Sequence, residues 1–373
     1  MWRDLYRKTL LIILVYLFLG FSIISTGNKD KNDFDFTCIT NKILYVGGNG
    51  SNNYTNIQDA IDDAMDGYTV FVYNGTYYEN IIIDKPIKLI GENKYTTIID
   101  GSKNLHNLGK KFTIIVKVIA DDVAISRFTI QNAIGIDGRG IYVLKNGGLS
   151  YTEDNLIVDN IIKNCSYGLL VVNPINNTIA NISYYNCSGG IYITKIPYYE
   201  NYLYNNTANG KPLLFYVNKK NLIIDGKGAG GIGLLDCKNC VIYNLSVTSV
   251  TVGMDISYSS DIIVINSNIC KTNRGGIYVH HSSFCRCIGN TFKDDNWGIF
   301  FRKSNHNEIW YNNFINITMP DWFDTSFYNN WNKNYWEKPR LFPKLIFGKI
   351  GFTGKIPWFN IDWHPLQKPY TTY

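Results

Sequence analysis

Between residues 140 and 303 apolar and polar positions alternate in a frame that restarts at a glycine. The copies read "GLLVVN" from Gly168, "GIYITK" from Gly190, "GIGLLD" from Gly231, "GMDISY" from Gly253, "GIYVHH" from Gly276 and "GIFFRK" from Gly298, at spacings of 22, 41, 22, 23 and 22 residues. The 41 is two periods, with "PLLFYV" from Pro212 filling the gap, and "GIYVLK" at Gly140 is an earlier copy set off by an insertion. In each copy the residue after glycine is apolar (Leu169, Ile191, Ile232, Met254, Ile277, Ile299), and so is the one two places on (Val171, Ile193, Leu234, Ile256, Val279, Phe301). Period-two alternation predicts a strand with one buried face. A second short strand follows in stretches such as "NCVIYNLSV" and "DIIVINSNI". Copies this short, separated by Asn-rich turns, leave no room for the helix pairs of a helical solenoid or for the roughly 40 residues of a propeller blade. The pattern predicts an all-β chain, a right-handed, single-stranded parallel β-helix of about ten coils, each about 22 residues long.

The ends read differently. In "YTNIQDAIDDAMDG" the residues Ile57, Ala60, Ile61, Ala64 and Met65 fall at helical spacing, with Thr55 or Asn56 as N-cap and Gly67 as the stop. This predicts a capping helix near 56–66 over the first coil's open edge. Past residue 316 the repeat fades into a segment holding Trp322, Trp331, Trp336, Trp358 and Trp363. The predicted organisation is an export signal or N-terminal anchor at 1–27, a linker at 28–42, the β-helix at 43–316 and an aromatic C-terminal cap at 317–373.

The export reading rests on Arg3, Arg7 and Lys8 ahead of an apolar run from Leu10 to Ile24, followed by small residues at Ser25–Gly27. That segment is expected to engage the membrane during export, to an extracellular, cell-surface or periplasmic location. The net charge of +6 becomes +4 without Arg3, Asp4, Arg7 and Lys8, and no Lys/Arg run points to nucleic acid. A monomer is expected.

"IQDAIDDAMDGYTVFVYNGTYYENIIIDKPIKLIGENKYTTIIDG" (57–101) resembles the opening of NosD-type periplasmic β-helix proteins of the pectin-lyase-like superfold. "GKPLLFYVNKKNLIIDGKGAGGIGLLDCKNCVIYNLSV" and "IPWFNIDWHPLQKPY" resemble later parts of archaeal surface proteins of this kind. The resemblance implies the fold. It also implies an association with copper-site maturation, although the Met/His/Cys-rich set that soft copper prefers is missing. Copper therefore enters through the resemblance alone, and no other cofactor is expected.

The stretch "GGIYVHHSSFCRCIGNTF" (275–292) raises the metal question directly. By alternation His280 points outward and His281 starts a turn, so the two histidines diverge. Cys285 and Cys287 fall at core positions, where a thiol acts as a small hydrophobe. A zinc site joining them to Cys237 and Cys240 would have to span roughly 10 Å, two strand spacings, so no metal site is expected. Cys165 and Cys187 each lie three residues before a repeat glycine and stack in adjacent coils, within reach of a disulfide or as paired free thiols.

The outward positions two and four after each glycine form a column that includes Tyr142, Tyr192, Tyr216, Tyr278 and Phe300, with Asp255, His280 and Arg302 at one end. Aromatic rings stack on sugars, and Tyr192, Tyr278, Phe300, Asp255, His280 and Arg302 are the candidate ligand-binding residues. Asp255, His280 and Arg302 double as catalytic candidates. Leu144, Leu170, Val172, Leu214 and Leu235 on the same column argue equally for a covered face. The expected role is binding of a cell-surface polysaccharide or surface protein. The alternatives are a polysaccharide lyase or glycoside hydrolase acting on this face, and an accessory factor for copper-site maturation.

Overall fold

A computed structural model describes residues 42–103, 112–135, 137–187, 191–193, 201–250, 252–272, 275–319, 321–350 and 356–371. The expected export segment and linker lie outside these. Among the described residues no helix is long and apolar enough to cross a membrane. The fold is a parallel β-helix of about 13 coils, more than the ten read from the repeat, because coils lacking the glycine frame precede and follow it.

Each coil contributes short strands to three sheet faces. One face runs through Ile43–Val46, Thr69–Val72 and Lys88–Gly91, and is resumed later by Lys238–Tyr243, Ser260–Ile265 and Arg286–Ile288. A second holds Ile161–Cys165 and Ser183–Cys187, then Asn268–Cys270 and Thr291–Lys293. The third carries the glycine frame: Arg139–Val143, Tyr167–Val171, Ile191–Ile193, then Lys211–Val217, Gly231–Leu235, Val252–Ser257, Gly275–His280 and Ile299–Arg302.

The parallel pairing of the faces is interrupted: the first stops at Tyr204 and resumes at Ile223, the second stops at Ala208 and resumes at Ser246, and Lys211–Val217 of the third pairs parallel with no earlier strand among the described residues. These interruptions divide the solenoid into an N-terminal and a C-terminal stack. The join is a hairpin about Asn209–Gly210, in which Thr207–Ala208 pairs antiparallel with Lys211–Pro212. Each stack has its own apolar core. The break also corrects the glycine frame's alignment of Ile191 with Ile232, Met254, Ile277 and Ile299 as one inward ladder. Ile232, Met254, Ile277 and Ile299 do lie in one register, all buried, whereas Ile191 pairs with Leu169 in the other stack.

The repeat glycines mark close approach. A Cβ on Gly276 would stand 2.5 Å from the carbonyl oxygen of Gly298 and 2.5 Å from the Phe292 ring, and one on Gly298 would meet the Phe314 ring at 2.6 Å. Between the faces, buried polar side chains line the corners. Ser259, Ser282, Ser304 and Ser326 each accept the backbone N–H of the residue one coil below (Cys237, Ser259, Ser282, Ser304), at 2.9–3.1 Å. Asn290, Asn312 and Asn334 do the same for Ser267, Asn290 and Asn312 at 3.0 Å. Asp362 ends that column by accepting from the Asn334 N–H at 3.0 Å and from Trp336 Nε1 at 3.1 Å. The corners supply the partners that buried peptide groups require.

The capping helix is Ile57–Asp63, shorter than expected, with Asn56 as N-cap. Its first N–H groups are taken by the Glu79 carboxylate, from Ile57 at 2.9 Å and Gln58 at 3.0 Å. Ile57, Ala60 and Ile61 are buried, while Met65, beyond the helix end, is 66% exposed. At the other end the coils continue past residue 316: Phe300 pairs with Trp322, Ile309 with Trp331 and Phe314 with Trp336. Only the hairpin of Lys344–Ile350 and Ile356–Asp362 closes the solenoid.

Candidate functional site

A groove of about 510 Å³ opens along the third face and takes walls from both stacks. From the N-terminal stack come Arg139, Tyr142, Tyr167 and Leu170; from the C-terminal stack come Asp255, Tyr278, Trp297, Phe300, Arg302 and Asp324. Position two after the glycine places Asp255, Tyr278 and Phe300 side by side in consecutive coils. Position four places Ser257, His280, Arg302 and Asp324 in the parallel row. Tyr278 and Phe300 stack at 5.1 Å with ring planes 4° apart, and Trp297 stacks on Phe300 at 5.2 Å. The result is an aromatic strip one ring deep.

Charge flanks the strip. The Arg139 guanidinium lies 4.0 Å from the Tyr142 ring centroid and 4.9 Å from that of Phe112, and its buried Nε makes no hydrogen bond within the chain. Arg302 Nε stands 3.5 Å from an Asp324 oxygen. Burial pushes the Asp255 carboxyl up to about 6, against the opposing effect of the hydroxyl that Ser257 donates to it.

His280 is not part of this wall. It lies in the expected register but is only 7% exposed, its ring against Tyr258 at 5.6 Å and His281 at 4.4 Å. The two histidine rings meet where the alternation placed them apart, because His281 turns at φ 47° and stacks on Tyr258 at 4.9 Å. Burial, then the neighbouring His281, Arg302 and Lys303, holds His280 down to about 3. It is neutral at pH 7, buried, and set back from the groove, which removes it as a general acid.

Tyr192 pairs with Leu170, and its side chain lies outside the described residues. Leu214 and Tyr216 do not join the outward column. They pair with Ile232 and Leu234, on the inward side of the face, and pack partly buried against the C-terminal core. Phe215, one place along, lies instead against Gly233. Sequence reasoning missed Arg139, Tyr167 and Trp297, which all immediately precede a repeat glycine, and Asp324, which extends the row of Arg302 one coil further.

The cysteines divide as register dictates. Cys285 and Cys287 are buried beside the column of Ile262 and Val264, and burial raises Cys285 to about 12 and Cys287 further. Cys165 and Cys187 pair directly between coils as buried free thiols, with burial pushing the Cys187 thiol well up. A metal-binding thiol must be ionised, and these environments oppose that.

Residues 214–340 match the family described as periplasmic copper-binding protein (NosD). The chain is a parallel β-helix with a NosD-type segment over that span. The matched span takes in the regular coils of the C-terminal stack, with the groove wall from Asp255 to Asp324. An 86-residue stretch is 31% identical to the "Probable pectinesterase/pectinesterase inhibitor 41" of Arabidopsis thaliana, over 20% of this chain and 15% of that protein's length. Solved structures similar to this chain include a GH136 lacto-N-biosidase from Eubacterium ramulus (12% identity, 78% of this chain and 67% of that one, TM-score 0.40). Pectin methylesterase from carrot (14%, 77% and 82%, TM-score 0.31) and the Azotobacter vinelandii mannuronan C-5 epimerase AlgE6 A-module (13%, 75% and 88%, TM-score 0.37) are others. The copper in the family's description finds no matching donor set: among the described residues no three His, Cys, Asp or Glu side chains converge.

Proposed function

We propose that this exported, NosD-type β-helix binds an acidic polysaccharide in the groove between its two stacks. The observation that carries the reading is the pair of groove-lining rings Tyr278 and Trp297, both stacked on a Phe300 that is itself 7% exposed, with a guanidinium on each wall, Arg139 and Arg302. Rings of this kind take the apolar faces of sugars, and a planar guanidinium takes a uronate carboxylate through two parallel hydrogen bonds. The family's periplasmic description supports a location where such chains occur.

Binding is favoured over cleavage by the carboxylates. Asp255 and Asp324 stand three coils apart by register, roughly 14 Å from the strand spacing. Glycosidases hold their carboxyl pair within about 10 Å. His280, the third catalytic candidate, is buried and lies outside the groove lining.

Isothermal titration with oligogalacturonate and oligomannuronate against neutral oligosaccharides tests this. Saturable binding of the acidic chains, weakened by Arg302→Ala and by Arg139→Gln, is the expected result. Release of unsaturated or reducing ends by the wild type, lost in Asp255→Asn, would replace binding with catalysis. Equal indifference to acidic and neutral chains would remove the reading altogether.

A further inference from the structure

The hairpin that closes the C-terminal stack has two unlike faces. Cross-strand register puts Ile346 opposite Asn360 and Gly348 opposite Trp358 on one of them. That side packs on the solenoid at Ile346, which is fully buried, and at Gly348, where a Cβ would meet the Phe323 ring at 2.5 Å, while Trp358 and Ile356 at its outer end are 51% and 57% exposed. The other side carries Leu345 opposite Ile361, Phe347 opposite Phe359 and Lys349 opposite Pro357, with Trp363 following in the same parity. Phe347 is 63% exposed and Trp363 62%, and Leu341 and Phe342 just upstream are more exposed still. Alternation along the hairpin thus presents large apolar side chains outward, where a terminal cap needs polar ones.

Charge is concentrated in the same segment. Residues 338–373 hold six Lys and Arg against one carboxylate, Asp362, which makes five of the chain's six net positive charges. Asp362 is buried as the terminal acceptor of the asparagine column and faces away from the exposed side. Asp324, 29% exposed, lies across from Lys349 in register, but within residues 338–373 the rings are accompanied by cations and by no carboxylate other than the buried Asp362. That composition matches the interface of an anionic bilayer, where rings sit at headgroup level and lysines meet lipid phosphates. A second copy of the chain fits poorly, because it would bring the same five charges face to face.

We propose that this hairpin docks the solenoid, end on, against an anionic phospholipid surface, with Leu345, Phe347, Phe359 and Trp363 entering the interfacial layer. The test uses the full chain with vesicles of phosphatidylcholine alone or mixed with phosphatidylglycerol. Because the apolar run Leu10–Ile24 can itself enter bilayers, the readout is the difference between wild type and variant on the same vesicles. The double variant Phe347→Ser, Phe359→Ser is expected to lower binding to the mixed vesicles about tenfold or more. Lys349→Gln is expected to lower it about fivefold, an effect that fades in high salt. Bromine-labelled lipids should quench tryptophan emission in the wild type, and less so in Trp363→Tyr. Both hydrophobic sites are solvent-facing, so thermal unfolding of the double variant should match the wild type. Equal vesicle binding by wild type and double variant overturns the proposal. So does a dimer in sedimentation velocity that dissociates in the double variant, since the face would then belong to a second copy.

Discussion

The two stacks solve one packing problem with different side chains. The N-terminal core is chiefly Ile, Val and Leu, with Phe128 and Tyr184 as its large rings. The C-terminal core adds Phe292, Phe301, Phe314, Phe323, Trp331 and Trp336, and Phe292, Phe314 and Trp336 form a continuous stack at 5.2 and 4.5 Å. The corner bonds differ in the same sense. Asparagine links along one N-terminal corner span 32, 22 and 24 residues, because insertions interrupt the coils. Links along a C-terminal corner, from Leu245 to Asn334, span 22, 23, 22 and 22. Constant coil length brings like residues above like, and only then can serines bond serines and rings stack on rings coil after coil. Regularity is therefore what lets the C-terminal stack bury so much polar and aromatic material.

The largest effect should come from charging either core. Ile277→Asp places an unpaired carboxylate in the C-terminal interior, at a cost of about 4 kcal/mol or more. If the stacks are separate cooperative units, far-UV circular dichroism will retain a melting transition from the N-terminal one. Ile141→Asp should leave the complementary transition, and loss of the whole signal in both variants would show a single unit.

Next come the corners. Asn312 accepts from Asn290 and donates to the carbonyls of Cys287 and Trp310 at 2.8 and 3.0 Å, so Asn312→Ala strands several buried groups. About 3 kcal/mol should be lost in urea unfolding. Asn155 accepts from Val123 at 3.1 Å, but its buried Nδ2 has no partner, and Asn155→Ala should cost about 1 kcal/mol. Equal losses would remove the distinction between the stacks.

The groove joins the two, and there they should count alike. Tyr142→Ala on one wall and Tyr278→Ala on the other should each weaken oligouronate binding about fivefold, measured by titration calorimetry. An effect confined to Tyr278 would assign the ligand to the C-terminal stack alone.

The smallest effect is a pH dependence with two signs. His280, held near 3 when folded, takes a proton below about 6.5 once unfolded, so its contribution to stability falls as pH drops through that window. Asp255, raised to about 6, binds its proton more tightly when folded, so its contribution grows as pH drops from about 6 toward 4. Melting temperatures at pH 8 and pH 5 should show His280→Asn reducing acid destabilisation and Asp255→Asn increasing it.

How much of this was legible depended on register. The glycine frame gave the strands, their inward ladder and the core placement of Cys285 and Cys287, because a period of two leaves one choice of face. The same rule explains the errors. Aligning Pro212 with Gly231 was one residue out, since Leu213 is the true partner, and that slip moved Leu214 and Tyr216 to the wrong side. His280 was assigned the right row, but Tyr258 and His281 bury it, and alternation does not report what leans over an outward residue. The hairpin at Asn209–Gly210 was illegible for another reason. An Asn-Gly turn stands out where it joins two plain strands, but here every coil is joined by asparagine turns, and the reversal looked like one more of them. The groove followed from that reversal, which is why its N-terminal wall of Arg139 and Tyr167 was not foreseen.

The serine and asparagine columns have a consequence for how such a chain can change its length. A single inserted residue between Cys285 and Asn307 would carry the corner amide out of reach of its neighbours and turn the following strand's apolar side to water. A whole added turn of 22 residues would extend every column by one rung and disturb none. The molecule is thus free to grow or shorten only in integer steps, with the Asp362 hairpin moving outward as a detachable lid on whatever number of turns lies beneath it.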